Sequence, residues 1–337
     1  MPEQVNYPEL APLLRRHYGL EAGGIVKARA GAGSDTYFIT GESGRYVLKF
    51  PEESPMNDPA AEPALCAFLL ERGIPACRFL PNLAGELLCR ENGRVFHLQR
   101  YIEGDCYENH RAPQWLLGEA ARLLGRIHKT LCEYPRLKDG IGPDFFRNMT
   151  PERALASYRR SLERAQARGD AGVAEDLRYR IGAMGRFPPV SFDIHALTRA
   201  NTHGDYLASQ MICEGESVRA VIDWTTACVH PVVWEILRSF VYASPLCSAG
   251  EVDVNGFMDY LAGYLAQFEL READILALPG VFHYQIAVCD YYAQNDFSTA
   301  GNRDIFLAQA VFSTRLMRWF EGNGDGFAQA LRERFLR

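Results

Sequence analysis

Residues 202–212, Thr-His-Gly-Asp-Tyr-Leu-Ala-Ser-Gln-Met-Ile, run into a polar turn at 213–219 and then into Ala220-Val221-Ile222-Asp223-Trp224. Asp205 falls on a loop and Gln210 follows five residues later. Met211 and Ile212 begin a short apolar run, the turn is rich in Glu and Gly, and Ala220, Val221 and Ile222 form a second run ending at Asp223. This is the pattern of loop, strand, hairpin, strand, with a carboxylate and an amide before the hairpin and a carboxylate after it.

Phosphoryl transfer calls for that set of groups: a loop Asp beside the attacking hydroxyl, an amide oxygen for a metal, and a second Asp for metal beyond a hairpin. Magnesium prefers hard oxygen ligands and keeps several waters, so one carboxylate and one amide carbonyl suffice when phosphates supply the rest. Asp205 fits the role of the group that accepts the hydroxyl proton. An ordinary hairpin preceded by a solvated Asp has the same letters, so the rest of the chain has to decide.

The chain has 337 residues, 47% of them hydrophobic, enough for a sizeable core in one large domain or two lobes. A net charge of -6 argues against nucleic acid as a partner. No apolar run reaches the length of a membrane span, and the start MPEQVNYPEL lacks the basic and apolar regions of a signal peptide. The nine Cys are scattered without a Cys-x-x-Cys pair, which suggests reduced, buried thiols and a cytoplasmic location.

Ahead of the central stretch, 8–18 has helical spacing and 25–28 reads as a strand. Residues 30–36, Ala-Gly-Ala-Gly-Ser-Asp-Thr, make a Gly-rich turn before a second strand at 37–40. Gly31 and Gly33 would let backbone N–H groups approach phosphate oxygens, and Ser34 adds a hydroxyl; a plain hairpin reads the same way. Lys49 is embedded in the apolar strand 45–50, where a kinase places its phosphate-binding Lys. Glu62, in the first turn of a helix over 59–70, is its natural partner. An antiparallel pair around Asn92-Gly93 leads past Gln99 and Tyr101, whose backbone would run beside an adenine. From 113 onward the spacing is helical, with helices expected at 113–131, 151–168, 172–184, 232–242, 256–268, 272–294, 303–320 and 325–336.

In order, the 30–37 loop, Lys49, Glu62, the 203–210 loop and Asp223 resemble the aminoglycoside phosphotransferase and choline kinase superfamily, over nearly the whole chain. Bacterial small-molecule kinases such as homoserine and methylthioribose kinases look similar. Residues 30–37 look like the family's phosphate loop, with Asp35 where Asn is common, and 118–128 like its long helix ending near His128. His203-Gly204-Asp205 looks like its catalytic motif and Ile222-Asp223-Trp224 is similar to its metal motif. Gln210 stands in place of the usual Asn, and Glu235 where many members have Asp.

The resemblance implies an α+β, two-lobed, protein-kinase-like fold. Its N-lobe, 1–102, is an antiparallel sheet plus a helix, and its C-lobe, 103–337, is mainly helical. It implies transfer from ATP or GTP, with Mg2+, to the hydroxyl of a small molecule. Gly31, Gly33, Ser34 and Lys49 would hold phosphates, Glu62 would orient Lys49, and Gln99 and Tyr101 would lie by the base. Gln210 and Asp223 would hold metal, Asp205 would orient and deprotonate the acceptor, and His203 would brace the loop. A protein kinase fits less well, since Leu207 replaces a common Lys and no Ala-Pro-Glu follows Asp223. A non-catalytic nucleotide-binding scaffold is disfavoured because every charged group is retained.

The acceptor is expected to be a cation or to carry an amine, such as an aminoglycoside, a choline-like molecule or an amino alcohol. Residues 193–305 hold 15 Asp or Glu against 5 Lys or Arg. On one continuous helix Tyr284, Val288 and Tyr291 share a face with Asp290 nearby, and aromatic faces attract ammonium groups. Glu235, Asp290 and Tyr291 are the acceptor-binding candidates. The expected partners are thus a nucleotide and a small acceptor, with neither nucleic acid nor membrane.

Overall fold

The computed structural model describes residues 7–28, 34–51, 58–140, 150–186, 192–297 and 303–336. After helix α1 (Leu10–Tyr18) come strands β1 (Ala22–Lys27), β2 (Ser34–Gly41) and β3 (Gly44–Pro51), then helix α2 (Glu62–Glu71) and strands β4 (Phe79–Leu80), β5 (Cys89–Glu91) and β6 (Arg94–Arg100). The strands form one antiparallel sheet in the order β1-β2-β3-β6-β4, with β5 also paired to β6. Alternation along β3 decides what faces where. Tyr46, Leu48 and Phe50 join Leu10, Leu13 and Leu14 of α1 in the buried cluster of one face. Lys49 falls on the opposite face and is still only 8% exposed. Asn92 and Gly93 both have positive φ, 50° and 75°, so β5 and β6 are joined by the tight turn that an Asn-Gly pair favours.

Strand β7 (Arg199–Thr202) and β10 (Cys228–Pro231) pair with each other, and between them in sequence lies the hairpin β8 (Met211–Glu214) and β9 (Ser217–Val221). The described residues gather into two compact units. One holds the chain through Cys106 together with His203–Asp205 and Ser209–Ala227; the other holds Tyr107–Thr202, Tyr206–Ala208 and the chain from Cys228. The β8–β9 hairpin joins the first unit through bridges Ala76 to Val221 and Asp105 to Cys213.

The second unit is built on α3 (Gln114–Leu131), α4 (Pro151–Ala167), α5 (Ala171–Arg186), α6 (Val233–Ala243), α7 (Val254–Leu265), α8 (Glu272–Val288), α9 (Tyr291–Phe297) and α10 (Arg303–Phe335). Leu116, Leu117, Ala120, Leu123, Leu124, Ile127 and Leu131 make the buried stripe of α3, as their spacing implies. Among the described residues no helix is long and apolar enough to cross a membrane.

Two helix readings need correction. The helix expected over 272–294 breaks after Val288. Tyr158 donates its hydroxyl proton to Ala287 O at 2.5 Å and lies 3.2 Å from Cys289 O, taking up carbonyls at the end of α8. Asp290 then accepts the Ala293 N–H at 3.0 Å and caps the start of α9. Periodicity continues through such a break, so spacing alone hides it. The opposite holds at 321–324, where Glu-Gly-Asn-Gly separates the two helices expected at 303–320 and 325–336 and α10 continues through Gly326. Each interior Gly costs about 1 kcal/mol, and burying Phe327 and Leu331 beyond them, at about 1.5–3 kcal/mol per side chain, offsets much of that.

Three histidines are held neutral. Burial pushes His97 down to about 3, and His230 and His283 down to about 4, from an ordinary 6.5. Between these values the unfolded chain binds protons that the folded chain does not. Stability is therefore intact above pH 6.5 and falls as pH drops toward 4, by about 1.4 kcal/mol per pH unit for each such proton. Urea unfolding between pH 7 and pH 4.5 should show this slope, and His283→Gln should flatten it by roughly one proton's share. A wild-type stability that does not fall over this window would refute the assignment.

Candidate active site

The catalytic-loop candidates are arranged by His203, which is fully buried. Its Nδ1 accepts the Asp205 backbone N–H at 3.2 Å, so in the neutral ring Nε2 carries the proton and donates to Ile222 O at 3.0 Å. The imidazole also lies against Trp224, ring centroids 4.4 Å apart. Thr226 Oγ1 donates to His203 O at 3.2 Å. One side chain thus ties the loop bearing Asp205 to the residue just before Asp223. Gly204, between them, has φ +88°, and a Cβ there would lie 2.1 Å from Thr226 O. The motif needs Gly at this place for both reasons.

Gln210 and Asp223 are brought together by the hairpin. Ile222 N–H donates to Gln210 O at 2.9 Å, continuing the β8–β9 pairing by one step. Asp223 then takes a left-handed backbone, φ 66° and ψ 57°. That turn presents the Trp224 N–H to Glu62 Oε1, 3.0 Å away, and the Asp223 carboxylate to Lys49. Lys49 Nζ donates to Asp223 Oδ1 at 2.5 Å, joining residues 174 positions apart, and Thr225 Oγ1 donates to the same oxygen at 3.1 Å. The sequence pairs Lys49 with Glu62. In the structure the hydrogen bond of Lys49 goes to Asp223, and Glu62 receives the Trp224 N–H instead. The left-handed turn at Asp223 accompanies this pairing, with its carboxylate bonded back to β3.

The electrostatics follow from this packing. Burial works to lower the Lys49 pKa, but the Glu62 and Asp223 carboxylates outweigh it and hold the ammonium above its ordinary value. Burial works against the Asp223 carboxylate too, yet Lys49, the Thr225 hydroxyl and His203 pull it below the usual range. Glu62 is fully buried, and burial lifts its pKa even though Lys49 and the Trp224 N–H oppose the rise.

Of the nucleotide-binding candidates, Gly31 and Gly33 lie outside the described residues. Ser34 opens β2, with its Oγ 3.3 Å from Thr36 Oγ1. Gln99 is buried within β6, paired to Val47 on one side and Phe79 on the other. Tyr101 N–H donates to Arg45 O at 3.1 Å and Arg100 N–H to Arg78 O at 2.9 Å. The Arg45 guanidinium covers the Tyr101 ring, 3.7 Å from its centroid. Among the described residues, Ile102 is the first beyond β6 whose backbone enters no backbone hydrogen bond.

The acceptor-binding candidates have structural employment in the second unit. Glu235 is 1% exposed, and its Oε2 lies 3.0 Å from His128 Nε2, whose Nδ1 lies 2.8 Å from the Tyr264 hydroxyl. Ser157 and Ser161 donate to Asp290 Oδ2 at 2.6 and 3.1 Å, while its Oδ1 caps α9. Tyr291 lies beyond the helix break, so it does not share a helix face with Tyr284 and Val288, and burial pushes its hydroxyl well above the usual range. The acidic, aromatic acceptor face expected from one continuous helix is therefore not formed. The sequence reading also passed over His97 and the Trp224 N–H. Strand pairing with Lys49 is the signal for the first; no sequence signal marks the second, because it is a backbone group.

Residues 24–276 match the family model described as APH, phosphotransferase enzyme family, and the chain belongs to that family. It is an enzyme of the small-molecule kinase class, with the mixed α/β architecture of protein-kinase-like folds. A homoserine kinase from Methylobacillus flagellatus is 27% identical over 258 residues, covering 75% of this chain and 73% of that protein. A hydroxylysine kinase from Danio rerio is 21% identical over 294 residues, covering 80% and 78%. Among solved structures, an amicoumacin kinase in complex with AMP-PNP, Ca2+ and Ami superposes with a TM-score of 0.63 at 13% identity, covering 94% of each chain.

Gly204 offers a direct check of the loop geometry. Gly204→Ala should cost at least about 2 kcal/mol of stability, from the positive φ and the contact with Thr226 O, and should remove catalytic activity by displacing Asp205. Chemical unfolding and an activity assay on the same preparation measure both. An Ala variant as stable and active as wild type would refute the close approach.

Proposed function

We propose that this chain transfers the terminal phosphoryl group of ATP or GTP, held with Mg2+, to the hydroxyl of an amine-bearing small molecule, a hydroxylated amino acid being the acceptor class. The observation that carries the chemistry is the Lys49–Asp223 ion pair beside the His203-braced loop of Asp205. The relatives named as homoserine and hydroxylysine kinases support the acceptor class, since both names denote alcohols that bear an amine and a carboxylate.

Asp223 suits a divalent cation, because its carboxylate already accommodates the Lys49 ammonium. Gln210 adds an amide oxygen on the neighbouring hairpin position. Bound magnesium would neutralise phosphate charge and hold the transferring group in line. Lys49 would bind phosphate oxygens, with Glu62 keeping it oriented. Ser34, with Gly31 and Gly33, would cover the phosphates. The base would lie along Gln99 to Ile102, with the Ile102 backbone making the hydrogen bonds that Arg100 and Tyr101 have already spent. Asp205 would accept a hydrogen bond from the attacking hydroxyl and then its proton, while His203 keeps the loop in place through its contact with the Asp205 N–H.

Release of ADP should be measured against homoserine, hydroxylysine, ethanolamine, choline, an aminoglycoside and a neutral pentose. Turnover is expected with a hydroxylated amino acid and to fall about 10²-fold or more in Asp205→Ala. Thermal shift should show MgATP stabilising wild type and Asp205→Ala, with the effect reduced in Lys49→Ala and Asp223→Asn and retained in Gln210→Asn. Turnover confined to the neutral sugar would reject the acceptor class; full activity of Asp205→Ala would reject its role.

A further inference from the structure

Two buried groups beside Lys49 have unmet hydrogen-bonding capacity. Glu62 Oε2 has no hydrogen-bond partner among the described residues, and neither ring nitrogen of His97 has one. Both residues are fully buried. They face each other, His97 Nε2 standing 3.6 Å from Glu62 Oε2, a few tenths of an ångström beyond a hydrogen bond. The register of β3 on β6 sets His97 directly opposite Lys49. Phe79 packs on the imidazole, ring centroids 4.7 Å apart. Buried donors and acceptors left unpaired are costly, and a pair this close to closing points to a second arrangement in which the bond is made.

The ion pair on Asp223 shows what that arrangement is for. A carboxylate that receives a metal cannot also keep the Lys49 ammonium as its chief partner. Once Lys49 turns to phosphate, Glu62 is the remaining carboxylate whose field acts on it. Among the described residues, Glu62 is then held only through Oε1, by the Trp224 N–H.

We propose that His97 is a positioning residue: its Nε2–H donates to Glu62 Oε2 in the nucleotide-bound enzyme and fixes Glu62 as the carboxylate that orients Lys49. The proposal rests on the phosphotransferase reading of this site. A neutral imidazole suits the task. It supplies a donor without adding charge to a cluster in which Lys49, Glu62 and Asp223 already interact, and burial keeps it neutral. Its aromatic ring also retains the Phe79 packing that a flexible amide would lose.

Calorimetric titration with MgATP and steady-state kinetics on wild type, Lys49→Ala, His97→Phe, His97→Gln, Glu62→Gln and the Glu62→Gln/His97→Phe double variant test this. His97→Phe keeps the ring and should weaken MgATP binding about tenfold; His97→Gln restores a donor and should recover to within about threefold. In the Glu62→Gln background His97→Phe should change little, because the group through which it acts is already altered. Wild-type affinity and kcat in His97→Phe, or an undiminished effect in the Glu62→Gln background, would overturn the proposal. If wild type itself binds no MgATP, the functional reading falls first. If Lys49→Ala weakens binding and His97→Phe does not, only the role of His97 falls. Nitrogen-15 NMR of the wild-type imidazole with MgATP needs no folded variant: an Nε2–H tautomer supports the proposal and an Nδ1–H tautomer overturns it.

Discussion

An ammonium taken largely out of water has to be matched by carboxylates packed beside it. That constraint at Lys49 governs the first unit. Taking such charges out of water costs several kcal/mol per ion, and removing one partner of a buried pair is more damaging than never having had the pair. The sheet supplies Lys49 from its centre, α2 supplies Glu62 from its first turn, and the hairpin brings Asp223. The hairpin belongs to the sheet's unit, although more than a hundred residues separate them in sequence, because the charge balance needs it there.

The second unit solves a similar problem with neutral groups. Arg180 is fully buried, and its guanidinium donates to Tyr158 and Thr314 at 2.7 Å, to Ser313 at 2.5 Å and to Ile286 O at 3.0 Å. Tyr158 in turn holds the carbonyls at the end of α8. One cation thereby organises α4, α5, α8 and α10, and Asp290, which is bonded to serines of α4, completes the arrangement from the start of α9. Asp290, which the sequence placed near an aromatic helix face, is thus bonded to α4 while it caps α9.

Candidate residues whose relation is set within a hairpin and its flanking loops were legible in the sequence. His203, Gly204, Asp205, Gln210 and Asp223 declare themselves because loop and hairpin geometry fix their relation locally. The Asn92-Gly93 turn and the α3 stripe are legible for the same reason. Partnerships between distant segments were not. Glu62 could be placed on its helix, but nothing in the letters shows that a backbone N–H at Trp224 will meet it. His97 could be placed on its strand, but its lack of partners is a property of the packed interior. Helix ends failed where tertiary contacts overrode the spacing, ending α8 early and carrying α10 through three glycines.

The left-handed backbone at Asp223 limits how this site can vary. Most side chains pay a steric cost in that conformation; Gly does not, and Asn and Asp pay least among the rest. Of those three only Asp carries a negative charge. Glu, chemically the nearest relative, would meet the backbone cost and would also carry its carboxylate one methylene further along. The reach of the carboxylate at this position is therefore set by the main chain. Variation in the oxygen groups offered beside it is left to neighbours such as the amide of Gln210, which ends a short 3₁₀ turn.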